Sequence, residues 1–529
     1  MVAFLKSMKD FKSRLLEYYG ITNDDFLLLS KNNTLEDLPK ADNYKDIDKC
    51  ATYLREAVNN NKKILIYGDY DCDGVMATSI AYLTLKSDKY TPGFYIPFRE
   101  TDGYGLTKEN IKRFKDLNYD ILLLVDNGIT LNEEIDYANS LGMDVIIFDH
   151  HTIEDSVPKA KFILHPTFSG FSNYNMCAGS VSFFFSIAYL GIIDEYLLTL
   201  AMISTISDLM ELKACNRLIV KLGLDALNKN HYRNIMTLIN NEKPRINEFD
   251  IGMTVCPKIN AIGRVVTDNH LFNIIRYFVI LDDDSFTSKT ATWIENTNLY
   301  RKQLVKDLSN SVEIDQKLNS IVLVEDNLKE GLTGLVAAKY MEDYDKPTVI
   351  LVQSSKTDSY LKGSIRSKNG FDVNIILDDV KDLLISYGGH ANAGGLTLDK
   401  KNFVEFKERF EKAASKHHFI TDESKQIEIN LDEINKENYD LIQSLSPFGQ
   451  GFHRPEFIIK GIKSNFLTVS RDGKHIIKKV SPNSAIVYFN FDKSIFNYEL
   501  INLIGYYDIN YFRGFCSVQF HVTSFLKFN

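Results

Sequence analysis

Three short apolar runs in the first half of the chain each end on acid. Residues 63–67 (KILIY) lead into Asp69-Tyr70-Asp71-Cys72-Asp73-Gly74, residues 121–125 (ILLLV) into Asp126-Asn127-Gly128, and residues 145–148 (VIIF) into Asp149-His150-His151. Apolar runs alternating with amphipathic segments are the pattern of a parallel sheet with helices on its faces. In such sheets ligands bind outside the carboxyl ends of the strands. Gly74 ends the first strand and 75–85 reads as the start of a helix, so the first three acids sit on one tight turn. Anions packed there repel each other unless a cation neutralises them, and hard oxygen ligands suit Mg²⁺ or Mn²⁺. One acidic turn is also the pattern of a solvated loop, but three acidic strand ends together are not. His150 and His151 add imidazoles, which beside carboxylates favour Mn²⁺. Asp208, after the apolar helix 197–206, is a fourth candidate position.

At 529 residues the chain is too long for one core, and its length predicts about three or four domains. Its 44% hydrophobic and 25% charged content is ordinary for a soluble protein. Six cysteines without a C-x-x-C pair give no zinc or disulfide signal and fit a reducing cytoplasm. The net charge of −9 excludes a generally basic coat, though not a local basic groove. The first twenty residues are too charged for a secretory signal. The apolar stretch 181–206 is broken by Asp194 and Glu195, which predicts two buried helices instead of a membrane span.

The expected organisation is α/β and multidomain. Residues 1–60 read as a helical arm, 61–215 as the parallel-sheet domain, and 216–315 as a helical connector with a charged helix near 286–308. Residues 316–418 read as a second α/β domain and 425–529 as short strands forming a small β-barrel. Tyr506, Tyr507, Tyr511, Phe512, Arg513 and Phe515 near the end mix aromatic and cationic character, which suits stacking on a single strand.

The segments DYDCDG, VDNG, FDHH and ISDLM, in this order, resemble the four motifs of the DHH phosphoesterase superfamily. More narrowly, IPFRETDGYGL (96–106), CPKINAIGR (256–264), LKGSIRS (361–367), GGHANAGGLTL (388–398) and SPFGQGFHRPEF (446–457) are similar to segments of its RecJ family of single-strand-specific exonucleases. The resemblance implies a DHH catalytic domain, a DHH-associated substrate-binding domain and an oligonucleotide-binding (OB) barrel.

It also implies two divalent ions, Mn²⁺ or Mg²⁺, held among Asp69, Asp71, Asp73, Asp126, Asp149, His150 and Asp208. Asp126 would bridge the ions. Asp71 would lean to one, and Asp73, His150 and Asp208 to the other. His151 would lie beside the phosphate, and Asp149 would also orient a histidine. Arg99, Arg264, Ser364, Arg366, Ser367, Gly389 and His390 are the implied substrate contacts. Where some DHH enzymes carry a histidine two residues before the first acid, this chain has Tyr67.

The activity implied is 5′→3′ degradation of single-stranded DNA to 5′-mononucleotides in DNA repair and recombination. The protein would be a cytoplasmic monomer without membrane contact, with a helicase or single-strand-binding protein as candidate partner. Two rivals are a DHH enzyme acting on oligoribonucleotides or cyclic dinucleotides, and an inactive homologue that only binds. Chain length and the expected barrel oppose the first, and the intact acid set opposes the second.

Overall fold

The structure, a computed structural model, describes residues 10–99, 105–153, 156–168, 175–239, 243–309, 314–355, 357–368, 370–416, 425–512 and 515–528. The first sheet comprises β1 (Ile64–Tyr67), β2 (Gly93–Tyr95), β3 (Ile121–Val125), β4 (Asp144–Phe148) and β5 (Phe162–Leu164). All neighbours are parallel, in the order β2-β1-β3-β4-β5. The chain moves outward from β1 to β2 and then crosses back to β3. The carboxyl ends of β1 and β3 therefore flank a topological switch point, where a crevice opens.

The apolar runs are continuous because both faces are covered. Ile64, Ile66, Leu123, Val125 and Phe148 join one core with helices Ile47–Asn59, Cys72–Leu85, Ala178–Leu190 and Glu195–Ser207. Leu65, Tyr67, Leu122, Leu124 and Ile147 face helices Lys108–Asp116 and Asn132–Ser140. Each buried aliphatic side chain contributes about 1.5–3 kcal/mol relative to exposure. That burial holds the acid-bearing rim in place against its own charge repulsion. The short strands β2 and β5 escape the sequence pattern, since three residues are too few to show a period.

The helices after residue 213 are more than a spacer, because Ile219, Leu238, Ile259, Ile274 and Phe278 belong to the first sheet's core. Helix Asp284–Ser309 runs between the two lobes. Its Ala291 and Ile294 pack in the first core, while Leu304, Val305 and Leu308 pack on the second domain. At 26 residues it is about 39 Å long.

The second sheet holds β6 (Ile321–Val324), β7 (Thr348–Gln353), β8 (Tyr360–Arg366), β9 (Leu384–His390) and β10 (Ala393–Asp399), ordered β6-β7-β8-β10-β9. The glycine cluster 388–395 forms the antiparallel hairpin β9–β10.

The third sheet holds β11 (Ile427–Glu428), β12 (Phe457–Lys463), β13 (His475–Ser481), β14 (Ser484–Phe489), β15 (Leu500–Phe512) and β16 (Phe515–Lys527). The order is β11-β12-β15-β16-β14-β13, and no ladder joins β13 to β11 among the described residues. The expected small OB-like barrel is thus an open, mixed sheet. Its first edge strand has only two residues, too short to close the ring. The amino-terminal arm packs here: Phe11, Leu15 and Phe26 enter this core, and Phe11 stacks on Phe457 at 5.8 Å. No described helix is long and apolar enough to cross a membrane.

Candidate metal centre

The first acidic turn is compressed from two sides. Asp71 caps helix Cys72–Leu85, its Oδ1 accepting from the Gly74 N–H at 3.0 Å. A side chain at Gly74 would strike the Asp69 backbone, 2.6 Å from its carbonyl oxygen. From the other side, Asn260 Oδ1 accepts from the Cys72 N–H at 2.9 Å, and Gly263 lets its helix close on the Tyr70 carbonyl. Asp126 follows β3 in the left-handed region, φ +62°, with its N–H donating to the Phe148 carbonyl at 2.9 Å. Aspartate tolerates that conformation better than most residues, and it swings the carboxylate towards the first turn.

Asp73 accepts from the N–H groups of Ala178 and Gly179 at 2.9 and 2.8 Å, and from the Ser204 hydroxyl. It thus sits on the amino terminus of a buried helix, where the helix dipole favours an anion. Asp208 is the last of the set, at the C-cap of helix Glu195–Ser207.

His150 Nε2 stands 3.6 Å from Asp73, 3.3 Å from Asp126 and 3.6 Å from Asp208. It is not aligned for a hydrogen bond with the last two, because Asp126 Oδ1 and Asp208 Oδ2 are buried with no hydrogen-bond partner. Among the described residues, candidate ligand atoms fall into three groups, each within 4.8 Å: Asp69, Asp71 and Asp126; Asp73, His150 and Asp208; and Asp126, His150 and His151. Burial, then the neighbouring Asp71, pushes Asp69 up to about 7. Burial, then Asp73 and Asp71, pushes Asp208 up to about 8. Asp126 is raised well above the carboxylate range by the same two causes. Burial holds His150 below its usual value, as a neutral ligand must be.

Orphaned buried oxygens, one neutral imidazole and uncompensated negative charge are what a hard divalent ion would relieve. The residues therefore fit such ions, with Asp126 belonging to both sides of the cluster.

His151 is positioned differently. Its Nδ1 lies 2.7 Å from Asp149 Oδ1, and that bond lifts its pKa to about 9. Asp149 also accepts from the Ile129 N–H at 2.9 Å and the His150 N–H at 2.7 Å. Its oxygens are thus occupied, and it joins none of the three ligand groups.

A cavity of about 750 Å³ adjoins the centre, walled by Asp126, Asp149, His151 and Arg99 on one side and Thr333, Ser364, Gly389 and Thr397 of the second domain on the other. Three arginines gather at this junction. Burial and then the charge of Arg99 lower the pKa of both Arg264 and Arg366, Arg264 to about 10. Arg99 lies 5.2 Å over the Tyr70 ring, and its Nε is buried without a partner. Gly334 makes room for the Arg366 guanidinium, since a Cβ there would lie 2.6 Å from Nη2. Like charges crowded together with an unsatisfied donor describe an anion site.

Three domain models match the chain in order: the DHH family N-terminal domain over 63–205, the DHHA1 domain over 317–416 and the RecJ OB domain over 426–524. The chain belongs to the RecJ family of DHH proteins. It is 29% identical over 489 residues to the single-stranded-DNA-specific exonuclease RecJ of Bacillus subtilis, covering 88% of this chain and 61% of that protein. The Haemophilus influenzae protein of the same name is 25% identical, with 92% of each chain covered. The crystal structure of RecJ with Mn²⁺ from Thermus thermophilus superposes at TM-score 0.81 and 22% identity, covering 98% of this chain and 76% of that one. A second structure, exonuclease RecJ bound to manganese, gives 0.61 at 26% identity, over 72% of this chain and 97% of that one.

In this RecJ-family chain the seven acids and histidines singled out as ligands converge, except that Asp149 faces His151. Of the second-domain residues, Ser364 and Gly389 line the cavity. Ser367 does not, because its hydroxyl is turned back onto the Phe371 carbonyl. The His390 side chain, residues 100–104 of the GYGL segment, and Arg513 lie outside the described residues. Tyr67 is fully buried and donates to the Gly105 carbonyl at 2.9 Å, on the sheet face that packs against Phe114.

Sequence reasoning missed the residues that hold the ligands: Asn260, Ala178, Gly179 and Ser204. Gly179 left a signal, a glycine in the first turn of an otherwise apolar helix. A Cβ there would meet the Ser204 hydroxyl at 2.2 Å and Asp73 Oδ1 at 3.3 Å.

Proposed function

We propose that this chain is a divalent-metal-dependent exonuclease that hydrolyses single-stranded DNA from a 5′-phosphorylated end, releasing 5′-mononucleotides. The observation that carries this reading is the adjacency of two opposite clusters: buried acids for cations, and for a phosphate three neighbouring arginines, of which Arg99 lines the cavity. Asp69, Asp71 and Asp126 would hold one ion, and Asp73, His150, Asp208 and the shared Asp126 the other. When bound, such a pair lowers the pKa of a water and neutralises charge on the scissile phosphate.

The chain's own groups do the rest. Asp149 fixes the His151 ring, so the protonated imidazole presents its remaining nitrogen to a phosphate oxygen or leaving group. Arg99, Arg264 and Arg366, with Ser364, grip a terminal phosphate and so set the register of cleavage. The second domain roofs the cavity and leaves room for one strand. The RecJ names of its relatives support DNA as substrate, and Mn²⁺ or Mg²⁺ as ion. A site of this kind requires unpaired strands, which a helicase or a single-strand-binding protein would supply in repair or recombination.

The test is incubation of the chain with Mn²⁺ or Mg²⁺ and matched single-stranded DNA, duplex DNA and RNA. Loss of the single-stranded DNA alone is expected. No loss with either ion would overturn the enzyme reading, and faster loss of short RNA would assign a different substrate.

A further inference from the structure

The acids of the metal centre differ in how they are held. Asp71 and Asp73 accept backbone N–H bonds. Asp208 Oδ2 is buried with no hydrogen-bond partner. Its direction is therefore set by the backbone that carries it, the C-cap of helix Glu195–Ser207 and the turn that follows.

That turn does not hold itself. Leu209 adopts φ +52°, a conformation that L side chains rarely take. It is 71% exposed, so its own burial does not keep it there. The Met210 N–H donates back to the Thr205 carbonyl at 3.2 Å. The next tether comes from another domain: the Leu212 N–H donates to the Gln450 carbonyl at 2.8 Å. Gln450 lies in the domain that carries the third sheet, within the 426–524 match. The far end of the turn is fixed locally, with Asn216 Nδ2 donating to the Glu211 carbonyl at 3.2 Å.

The two domains meet closely at this point. Leu212 is buried, and a Cβ on Gly449 would lie 2.8 Å from its Cδ1. Gly449 is not in the left-handed region, so the missing side chain serves the approach and not the backbone. The loop bearing Gly449 is itself clamped by two buried charges. Arg217, on helix Ala214–Asn230, donates to the Leu445, Ser446 and Pro447 carbonyls at 2.5, 3.2 and 2.8 Å. Glu248 accepts from the Phe448 N–H at 2.8 Å and from the Ser446 hydroxyl at 3.2 Å. Burying a charge is costly unless it is hydrogen-bonded, so these bonds hold the loop firmly against the first domain.

We propose that loop 446–451 positions the metal ligand Asp208, with Gly449 and the Gln450 carbonyl acting through Leu212. The proposal rests on the two-ion placement and adds a support that one ion borrows from a distant part of the chain. The ion assigned to Asp73, His150 and Asp208 depends on this loop. The ion assigned to Asp69, Asp71 and Asp126 does not, because none of those three lies on the turn after Ser207. Groups that orient a ligand without touching the ion change its affinity by about 10- to 100-fold.

The test is Mn²⁺ titration calorimetry on the full chain, together with electron paramagnetic resonance, in which two neighbouring Mn²⁺ couple and one alone does not. The unmodified chain should bind two ions. Gly449→Ala and then Gly449→Val should weaken one of them progressively, by about tenfold in the larger variant, with the other unchanged and the coupled signal reduced. Gly449→Val combined with Leu212→Ala, which returns the lost space, should recover both ions. If the valine variant does not fold, Gly449→Ala and its combination with Leu212→Ala decide. Unchanged affinities, equal losses at both ions, or no recovery in the combined variant would overturn the proposal. Fewer than two ions on the unmodified chain would overturn the two-ion placement and this role of the loop with it. Hydrolysis of single-stranded DNA is scored apart: two ions bound without cleavage would contradict the exonuclease reading alone.

Discussion

At the scale of single residues the acids differ in what they touch, and that predicts different failures. Asp126 is buried, raised and shared between ligand groups. Asp126→Asn should therefore reduce hydrolysis by at least about a thousandfold, equivalent to about 4 kcal/mol of barrier. The metal-free variant should melt higher than the unmodified chain, because the unmodified chain must take up a proton at this buried carboxyl to fold. A nuclease assay with Mn²⁺ checks the first part and calorimetry without it the second, and a lower metal-free melting temperature would contradict the cost of that proton. Arg366→Ala should bring 5′-phosphorylated and 5′-hydroxyl strands to the same rate, measured on otherwise identical oligonucleotides. Tyr67 makes the opposite case. Its hydroxyl serves Gly105, so Tyr67→Phe should cost about 1 kcal/mol of stability and leave Mn²⁺ affinity unchanged. A loss of metal affinity would show that this position reaches the centre.

At the scale of elements, the strand ends were legible because a buried parallel strand writes itself as an apolar run, and the acid after it stands out. The cradle beneath Asp73 was not legible. Its N–H donors come from Ala178 and Gly179, its hydroxyl from Ser204, and these meet only through the packing of two apolar helices. The close approach of those helices gives a prediction. Gly179→Ala forces a Cβ against Ser204 and should cost about 1–3 kcal/mol, with a matching fall in Mn²⁺ affinity as Asp73 shifts. Titration calorimetry and denaturant unfolding on the same preparation would check it; unfolding without the metal effect would place the strain elsewhere. The glycine cluster 388–395, implied as substrate-binding by resemblance, is a β-hairpin whose Gly388, Gly389 and Gly395 line the cavity.

At the scale of the whole molecule, the α/β character, the two lobes and a final β domain were readable from sequence. The openness of the last sheet and the amino-terminal arm packed on it were not, because both depend on contacts between the two ends of the chain. The charge of the centre also acts on the molecule as a unit. Without divalent ions, Asp69 and Asp208 hold protons up to about 7 and 8, against 3.8 for an ordinary aspartate. The folded state then binds more protons than the unfolded chain across that window, so metal-free stability falls as pH rises through it. The rise in melting temperature on adding Mn²⁺ should accordingly be larger near pH 8 than near pH 6. An unchanged rise would deny the coupling. The central claim, that buried acids and an arginine cluster together act on the 5′ end of a single strand, is tested most directly by end-labelled digestion. A 5′-phosphorylated oligonucleotide labelled at its 3′ end is incubated with Mn²⁺ and its products are sized over time. The account predicts 5′-mononucleotides from the first time point and a label carried on steadily shortening strands; release of the label itself as the first product would contradict it.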